Sequence, residues 1–474
     1  MKPQDRPTPS EIPVPEGSVA RITEPVIRRD SRSWVYEWTV LLDVPGRDPI
    51  TVASAWFRTG QAIRPLSGGS NAALIGSILP LMKLGVPVVV EGTVSPLLLR
   101  QLHNFQATFA SWYPFLRPVA VTVSPPQNTN SPEPTAEVGG RSPAVMFSLG
   151  VNSWHSILRH RESGAQLIYI DGFGPGQIVG RGEMRQAAGE AARAVGLPLV
   201  IVESNLRDWL ERWLDWSVVH GSMIGATLML LEGQVDKALI PAVVRTWEPV
   251  ANGSNPFTDP LYSTEHLRTF IDGGDIHWSG KLARLLEQEV VMDRLRVCSL
   301  GAPAGTNCGS CPKCVLTMAA LHLLGGLERA RLFPDRVTPE MVLQLPHAPG
   351  LHRDLQALLD LATTLAMEQD PVAEALARRF RRDRVDRMMA TGGGTLGRIA
   401  DPAEWKRLAK LDREGFAADL MAHAPDLVTR TLAPGVDKVP REVFNSLWDH
   451  DPEWVKFQMS RMTQDCIPAT RAHE

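Results

Sequence analysis

Four short apolar runs, AVMFS, QLIYI, PLVIV and KALIPAVV, recur between residues 144 and 244. A strand with one wet face alternates apolar and polar residues, whereas a run that stays apolar must be covered on both faces. Helical stretches such as MRQAAGEAARAVG and WSVVHGSMIGATLMLLE separate the runs. This alternation predicts an α/β domain over residues 143–330, a parallel sheet with helices on both faces. Upstream the period changes. In WVYEWTVLLDV, Trp34, Tyr36, Trp38, Val40 and Leu42 share one face, as in a half-buried strand. ITVASAWFR reads as its neighbour and LLLRQLHNFQATFASWY as a helix, so residues 1–123 are expected to form an α+β domain. Residues 124–142 are rich in Pro, Ser, Asn and Gly and read as a linker. Beyond residue 330 only helical patterns remain, giving a helical C-terminal region, 331–474. A chain of 474 residues exceeds one ordinary core, which agrees with several parts.

Composition narrows the class. Apolar content of 44% and charged content of 21% belong to a globular protein, and a net charge of -3 gives no global attraction to nucleic acid or anionic membranes. The most apolar stretch, AALIGSILPLMKLGVPVVV, is interrupted by Pro80, Lys83, Gly85 and Pro87. It reads as helix, turn and strand rather than a membrane span. The opening residues are polar and proline-rich, without the apolar stretch of a secretory signal, so the cytoplasm is the expected location.

Sulfur is concentrated in one place. Four of the five cysteines, Cys298, Cys308, Cys311 and Cys314, are spaced C-x9-C-x2-C-x2-C. Disulfides rarely persist in the cytoplasm, and two-residue gaps let neighbouring thiolates converge on one ion. Four sulfurs satisfy tetrahedral Zn²⁺ and leave no open position, so the expected role is structural. Asn307, Gly309, Pro312 and Lys313 suit tight turns that aim backbone amides at sulfur. An iron–sulfur cluster uses the same number of ligands and stays open as an alternative. Cys466 stands alone and reads as a packing or surface residue.

VMFSLGVNSWHSILRH, Val145 to His160, reads as a strand, a short turn and an amphipathic helix. The amides at such a helix start favour an anion. The order of a Ser-x-Gly-x-x-Ser turn, α/β units and the cysteine segment resembles the PP-loop ATP pyrophosphatases, in particular the 7-cyano-7-deazaguanine synthase-like branch with its terminal zinc site. The resemblance covers about residues 142–325. LRVCSLGAPAGTNCGSCPKCVLTMAAL is similar to that branch's metal segment, and FIDGGDIHWSGKLARLLEQE has a lysine opening a helix where the family usually does.

That resemblance implies an enzyme that binds ATP with Mg²⁺, adenylates a carboxylate or carbonyl oxygen, releases pyrophosphate, and lets ammonia, an amine or a sulfur donor displace AMP. Carried over, the loop Ser148, Leu149, Gly150, Val151, Asn152 and Ser153 would hold the phosphates. Ile170 and Asp171 would lie near adenine. Lys281, Asp259 and Asp272 would meet phosphate, Mg²⁺ or substrate. The substrate would be a small molecule or a peptide or protein carboxylate. Leu149 stands where the family has its first glycine, and Asn152 where it has an aspartate. Leucine penalises the left-handed conformation that glycine adopts freely, and asparagine is a neutral ligand for a hard cation. The alternative implied is a catalytically silent homologue, a nucleotide-binding or scaffold subunit serving a partner enzyme or a homo-oligomer.

Several other features have plainer readings. RRFRRDRVDR carries Arg378, Arg379, Arg381, Arg382, Arg384 and Arg387 on one helix. Its interleaved acids favour a solvated or subunit-facing helix over an RNA-contacting one, although some PP-loop enzymes modify tRNA. TGGGTLG lacks the flanking elements of a phosphate loop and reads as a hinge. His155 reads as a helix-surface histidine, and Trp209, Trp213 and Trp216 at helical spacing read as core or a domain contact.

Overall fold

The computed structural model describes residues 12, 14–125, 141–174, 181–247, 250–298, 306–346 and 350–390, with backbone only at 181 and 384–390. Residues 126–140 of the expected linker, the glycine run at 391–397 and Cys466 lie outside the described residues.

A hairpin supplies the first strands. β2 (Val26–Asp30) turns through Ser31, at φ 51°, into β3 (Ser33–Asp43), whose first half pairs with β2 and whose second half pairs antiparallel with β1 (Val19–Ile22). β4 (Ile50–Thr59) lies antiparallel on the other side of β3. The alternation of β3 buries Tyr36, Trp38, Val40 and Leu42 against one face. The apolar stretch that follows becomes α1 (Asn71–Leu84), a left-handed Gly85, and β5 (Val88–Glu91). α2 (Pro96–Trp112) starts at Ser95, whose hydroxyl accepts from the Leu98 amide at 3.0 Å, and β6 (Val121–Ser124) follows.

β5 pairs parallel with both β1 and β6, and the second half supplies five further strands that run parallel to one another. They are β7 (Ser142–Met146), β8 (Gln166–Asp171), β9 (Leu199–Ser204), β10 (Val235–Pro241) and β11 (Arg268–Asp272). Between them run α3 (Val151–His160), α4 (Arg181–Val195), α5 (Leu206–Trp213) and α6 (Trp216–Leu230). After β11 come α7 (Trp278–Leu285) and α8 (Glu289–Met292). The strand order is β11-β10-β7-β8-β9-β4-β3-β1-β5-β6 in one eleven-stranded sheet, with β2 on β3. β4 joins the two halves, pairing antiparallel with β9 through Phe57↔Ser204 and Thr59↔Val202. Asn205 fastens that seam: its Oδ1 accepts from the Trp56 amide at 2.8 Å, and its Nδ2 donates to the Ser54 carbonyl at 3.0 Å. α6 is apolar on all sides, as a helix enclosed by protein must be, and packs against α1. Gly225 on α6 is close to Tyr262, and a Cβ there would lie 2.6 Å from the ring. The 254–264 segment therefore seats closely on α6.

The chain divides into two compact units, Met1–Cys308 with Arg329–Pro334, and Gly309–Glu328 with Asp335–Glu474. All the strands among the described residues belong to the first. The second, where described, is helical: α9 (Pro312–Leu323), α10 (Pro339–Leu343), α11 (Leu351–Thr364) and α12 (Pro371–Ala390). Leu351, Leu355 and Leu358 of α11 and Leu376 and Phe380 of α12 are buried, and the His352 ring stacks on Phe380 at 4.3 Å. Of the arginines expected on a solvated or subunit-facing helix, Arg378 is exposed, and the side chains of Arg384 and Arg387 lie outside the described residues. Arg379 and Arg381 are buried, and Arg379 Nε donates to the Leu345 carbonyl at 2.8 Å. A backbone acceptor met only in the folded chain holds part of that guanidinium, which a charge count does not anticipate. Among the described residues no helix is long and apolar enough to cross a membrane.

Candidate functional site

Numbered in chain order, the five parallel strands lie 5-4-1-2-3 across the sheet, the doubly wound arrangement. The connections diverge between β7 and β10, and open sheets of this kind bind ligands in the crevice at that switch point, beyond the strands' C-terminal ends. The loop after β7 and the loop after β10 flank it. Lys281, from α7, ties them together: its ammonium donates to Asn152 Oδ1 at 3.0 Å and to the Ala242 carbonyl at 2.7 Å. Burial lowers its pKa to about 8, against the opposing pull of Asp272 and Asp275.

The loop itself is held in a strained shape. Leu149 has φ 65° and is fully buried, so the leucine occupies the left-handed conformation that a glycine would adopt at no cost. Its carbonyl accepts from the Arg296 amide at 3.0 Å, which fixes the turn to the segment approaching Cys298. Ser153 Oγ accepts from the Ser148 amide at 3.3 Å and donates to the Gly150 carbonyl at 3.0 Å. α3 then begins at Gly150 without a side-chain cap. The first amides of a helix have no intrahelical partner, so Val151, Asn152 and Ser153 present donors at the loop.

The other sequence-predicted residues are placed differently. Ile170 is buried in β8, and Asp171 is engaged by Arg185 at 2.5 Å. Arg185 also reaches Glu203 at 2.7 Å, so it bridges the ends of β8 and β9. Asp272, at the end of β11, pairs with His160 at 2.8 Å. Burial pushes Asp272 up, but hydrogen bonds from Ser156 and His160 outweigh it and hold the carboxyl below its usual range. His155 is buried between Gly273 and Lys281 instead of lying on a helix surface. Trp209 and Trp213 are buried on α5, whereas Trp216 opens α6 and is only partly buried.

Asp259 is fully buried within its own loop. It accepts from Ser254 Oγ at 2.6 Å and from the Asn255 amide at 3.3 Å. The partners of its carboxylate, which include Thr258, come from residues 254–258, while its backbone carbonyl accepts from Thr269 Oγ1 at 2.7 Å, so the structure gives it a clamping role. Burial raises its pKa to about 7, the hydrogen bonds from Ser254 and Asn255 opposing the shift. A carboxyl with a raised folded-state pKa stabilises the fold when protonated, and that stability is lost as pH rises from 4 to 7. Asp259→Asn is expected to remove this slope. In paired urea melts, the stability difference between wild type and variant should shrink by up to about 4 kcal/mol over that range. A constant difference would refute the buried-acid assignment.

Glu232, just past the end of α6, carries no signal in the sequence pattern yet locks three segments. It accepts from the amides of Leu66 and Ser67, both at 2.9 Å, and from the hydroxyls of Ser67 and Thr264.

The cysteines converge as their spacing predicts. The four sulfurs of Cys298, Cys308, Cys311 and Cys314 all lie within 4.8 Å of one another, and Cys311 Sγ is 3.4 Å from Cys314 Sγ. Cys311 precedes α9 and Cys314 lies in its first turn, where the helix start favours thiolate. Asn307 sets the approach of the first pair. Its Oδ1 accepts from the amides of Val297 and Cys298, at 2.9 and 3.1 Å, and its Nδ2 donates to the Leu295 carbonyl at 2.9 Å. One tetrahedral ion with bonds of about 2.3 Å spaces its sulfurs about 3.8 Å apart, which this set accommodates. A four-iron cluster places each thiolate on a separate iron and needs a wider spread. The four cysteines can therefore hold a metal ion such as zinc.

Comparison with protein-family models, curated proteins and solved structures returned no match. The functional reading therefore rests on the chain's own residues.

Proposed function

We propose that this protein binds ATP in the crevice between β7 and β10 and uses it to adenylate a carboxylate or carbonyl, in the manner of the PP-loop ATP pyrophosphatases that its loop and cysteine segment resemble. The observation that carries the reading is Lys281, buried and bonded to both loops of the switch point beside the uncapped start of α3. A fixed cation and free amides around one loop favour a polyphosphate. In this reading the substrate oxygen attacks the α-phosphorus, pyrophosphate leaves, and an amine, ammonia or sulfur donor displaces AMP. Ser148 and Ser153 add hydroxyl contacts, and Lys281 balances phosphate charge. Magnesium enters with the nucleotide. The loop has no carboxylate for it, since Asn152 stands there with its oxygen held by Lys281. The four-cysteine site holds zinc in a structural role, with reduced thiols as in the cytoplasm.

The same asparagine favours a second reading, in which the crevice binds nucleotide without turnover and the protein serves as a scaffold subunit. Calorimetric ATP binding and pyrophosphate release separate the two. Ser148→Ala and Ser153→Ala should each weaken ATP binding by about tenfold, the worth of one hydrogen bond to a charged group. Unchanged affinity in both variants would remove the crevice from consideration. Tight binding, lost in the variants, without pyrophosphate release across carboxylates and amine donors would establish the scaffold reading.

A further inference from the structure

We propose that a cavity between α3 and α7 is a separate binding site for a small organic carboxylate. The cavity measures about 380 Å³ and is lined by His155, Leu158 and Arg159 of α3, Arg284 and Leu285 of α7, and the flanking Asp275 and Gln288. That volume lies within the range of small-ligand sites, about 300–1,000 Å³. The cavity runs along α3 from His155, about one turn beyond Asn152 and near Lys281, to Arg159, about 10 Å along the axis from Asn152, so it adjoins the crevice and extends away from the phosphate loop.

Its chemistry points to an anion with an apolar body. Arg159 spends its charge on Asp275, at 3.3 Å. Arg284 is exposed and has no ion-pair partner among the described residues, leaving one uncompensated guanidinium at the rim. Guanidinium matches carboxylate geometry through paired N–H donors. His155 is 6% exposed and its Nδ1 is buried against Gly273, so the ring meets the cavity through its other atoms. Burial, followed by the neighbouring Lys281, lowers its pKa, so the ring tends not to add a cation to the cavity wall. Gln288 adds an amide, and the two leucines give an apolar wall that inorganic phosphate could not use.

Binding is measured on the full chain without nucleotide, so the result is independent of the ATP reading. Isovalerate, inorganic phosphate and chloride are titrated by calorimetry, with the ring signals of ¹³C-labelled histidines followed by NMR. Isovalerate should saturate with a Kd of about 1 mM or tighter and shift the His155 resonances. Phosphate should bind at least about tenfold more weakly, for want of contact with the leucines. Arg284→Gln, at an exposed position, should weaken isovalerate by about tenfold or more, and Gln288→Ala by a smaller factor. Three results would overturn the proposal: no saturation with isovalerate up to about 20 mM, equal binding of phosphate, or wild-type affinity in Arg284→Gln.

Discussion

Replacing Cys314 with serine is expected to empty the four-cysteine site and lower the stability of the protein by several kcal/mol. Cys314 is fully buried on α9, 3.4 Å from the sulfur of Cys311. Serine supplies a harder ligand on a shorter bond, which a set of thiolates gathered within 4.8 Å does not accommodate. Binding of structural zinc is worth about 10–16 kcal/mol in small domains, and that free energy is coupled to folding. Even a fraction of it exceeds the roughly 0.5–3 kcal/mol of an ordinary substitution. Elemental analysis should find one ion per chain in wild type and none in Cys314→Ser. Chelator should bring the wild-type melting curve down to that of the variant and leave the variant's curve unmoved. Cys466→Ser, outside the cluster, should retain the ion. The loss should also reach the loop after β7, because the Arg296 amide that holds Leu149 lies two residues before Cys298. A Cys314→Ser protein that melts like wild type and keeps its metal would refute the site.

What the sequence reveals follows the range of the interaction. The parallel strands are legible because two-sided burial forces a local composition, and β8 shows it with five buried residues in succession. The cysteines are legible because a metal imposes short spacing. The pairing of β4 with β9 is not, since it joins residues nearly 150 apart and leaves no periodic trace. The loop shows both cases. Its place after a strand and before a helix is written in VMFSLGVNSW, but the left-handed Leu149 contradicts local preference and is held by a bond from Arg296. Burial of His155, Arg379 and Arg381 likewise depends on tertiary neighbours, and their residue types suggest exposure. Lys281 is the instructive one: a lysine at a helix start is ordinary in sequence, and only the fold places its charge between two loops.

Lys281→Met is therefore the substitution expected to change nucleotide binding most. Methionine fills a similar volume without charge, so the core is preserved while the phosphates lose their fixed cation. A charge-assisted contact is worth about 1.5–3 kcal/mol, and ATP affinity should fall by about 100-fold. Stability at neutral pH should change little. Burying the ammonium is costly, and removing it offsets the loss of donors to Asn152 Oδ1 and the Ala242 carbonyl. The pH dependence adds a second test. Lys281 titrates near 8 in the folded protein, below its model-peptide value of 10.5. Between those values the unfolded chain holds a proton that the folded chain has released, so wild-type stability should rise with pH across that window, by up to about 3 kcal/mol from this group. The rise should vanish in Lys281→Met. ATP affinity should move oppositely, falling in wild type once pH exceeds about 8 as the amine loses its charge. In the variant it should stay flat. If Lys281→Met binds ATP as tightly as wild type between pH 7 and about 10, the lysine does not face the phosphates and the crevice assignment fails with it.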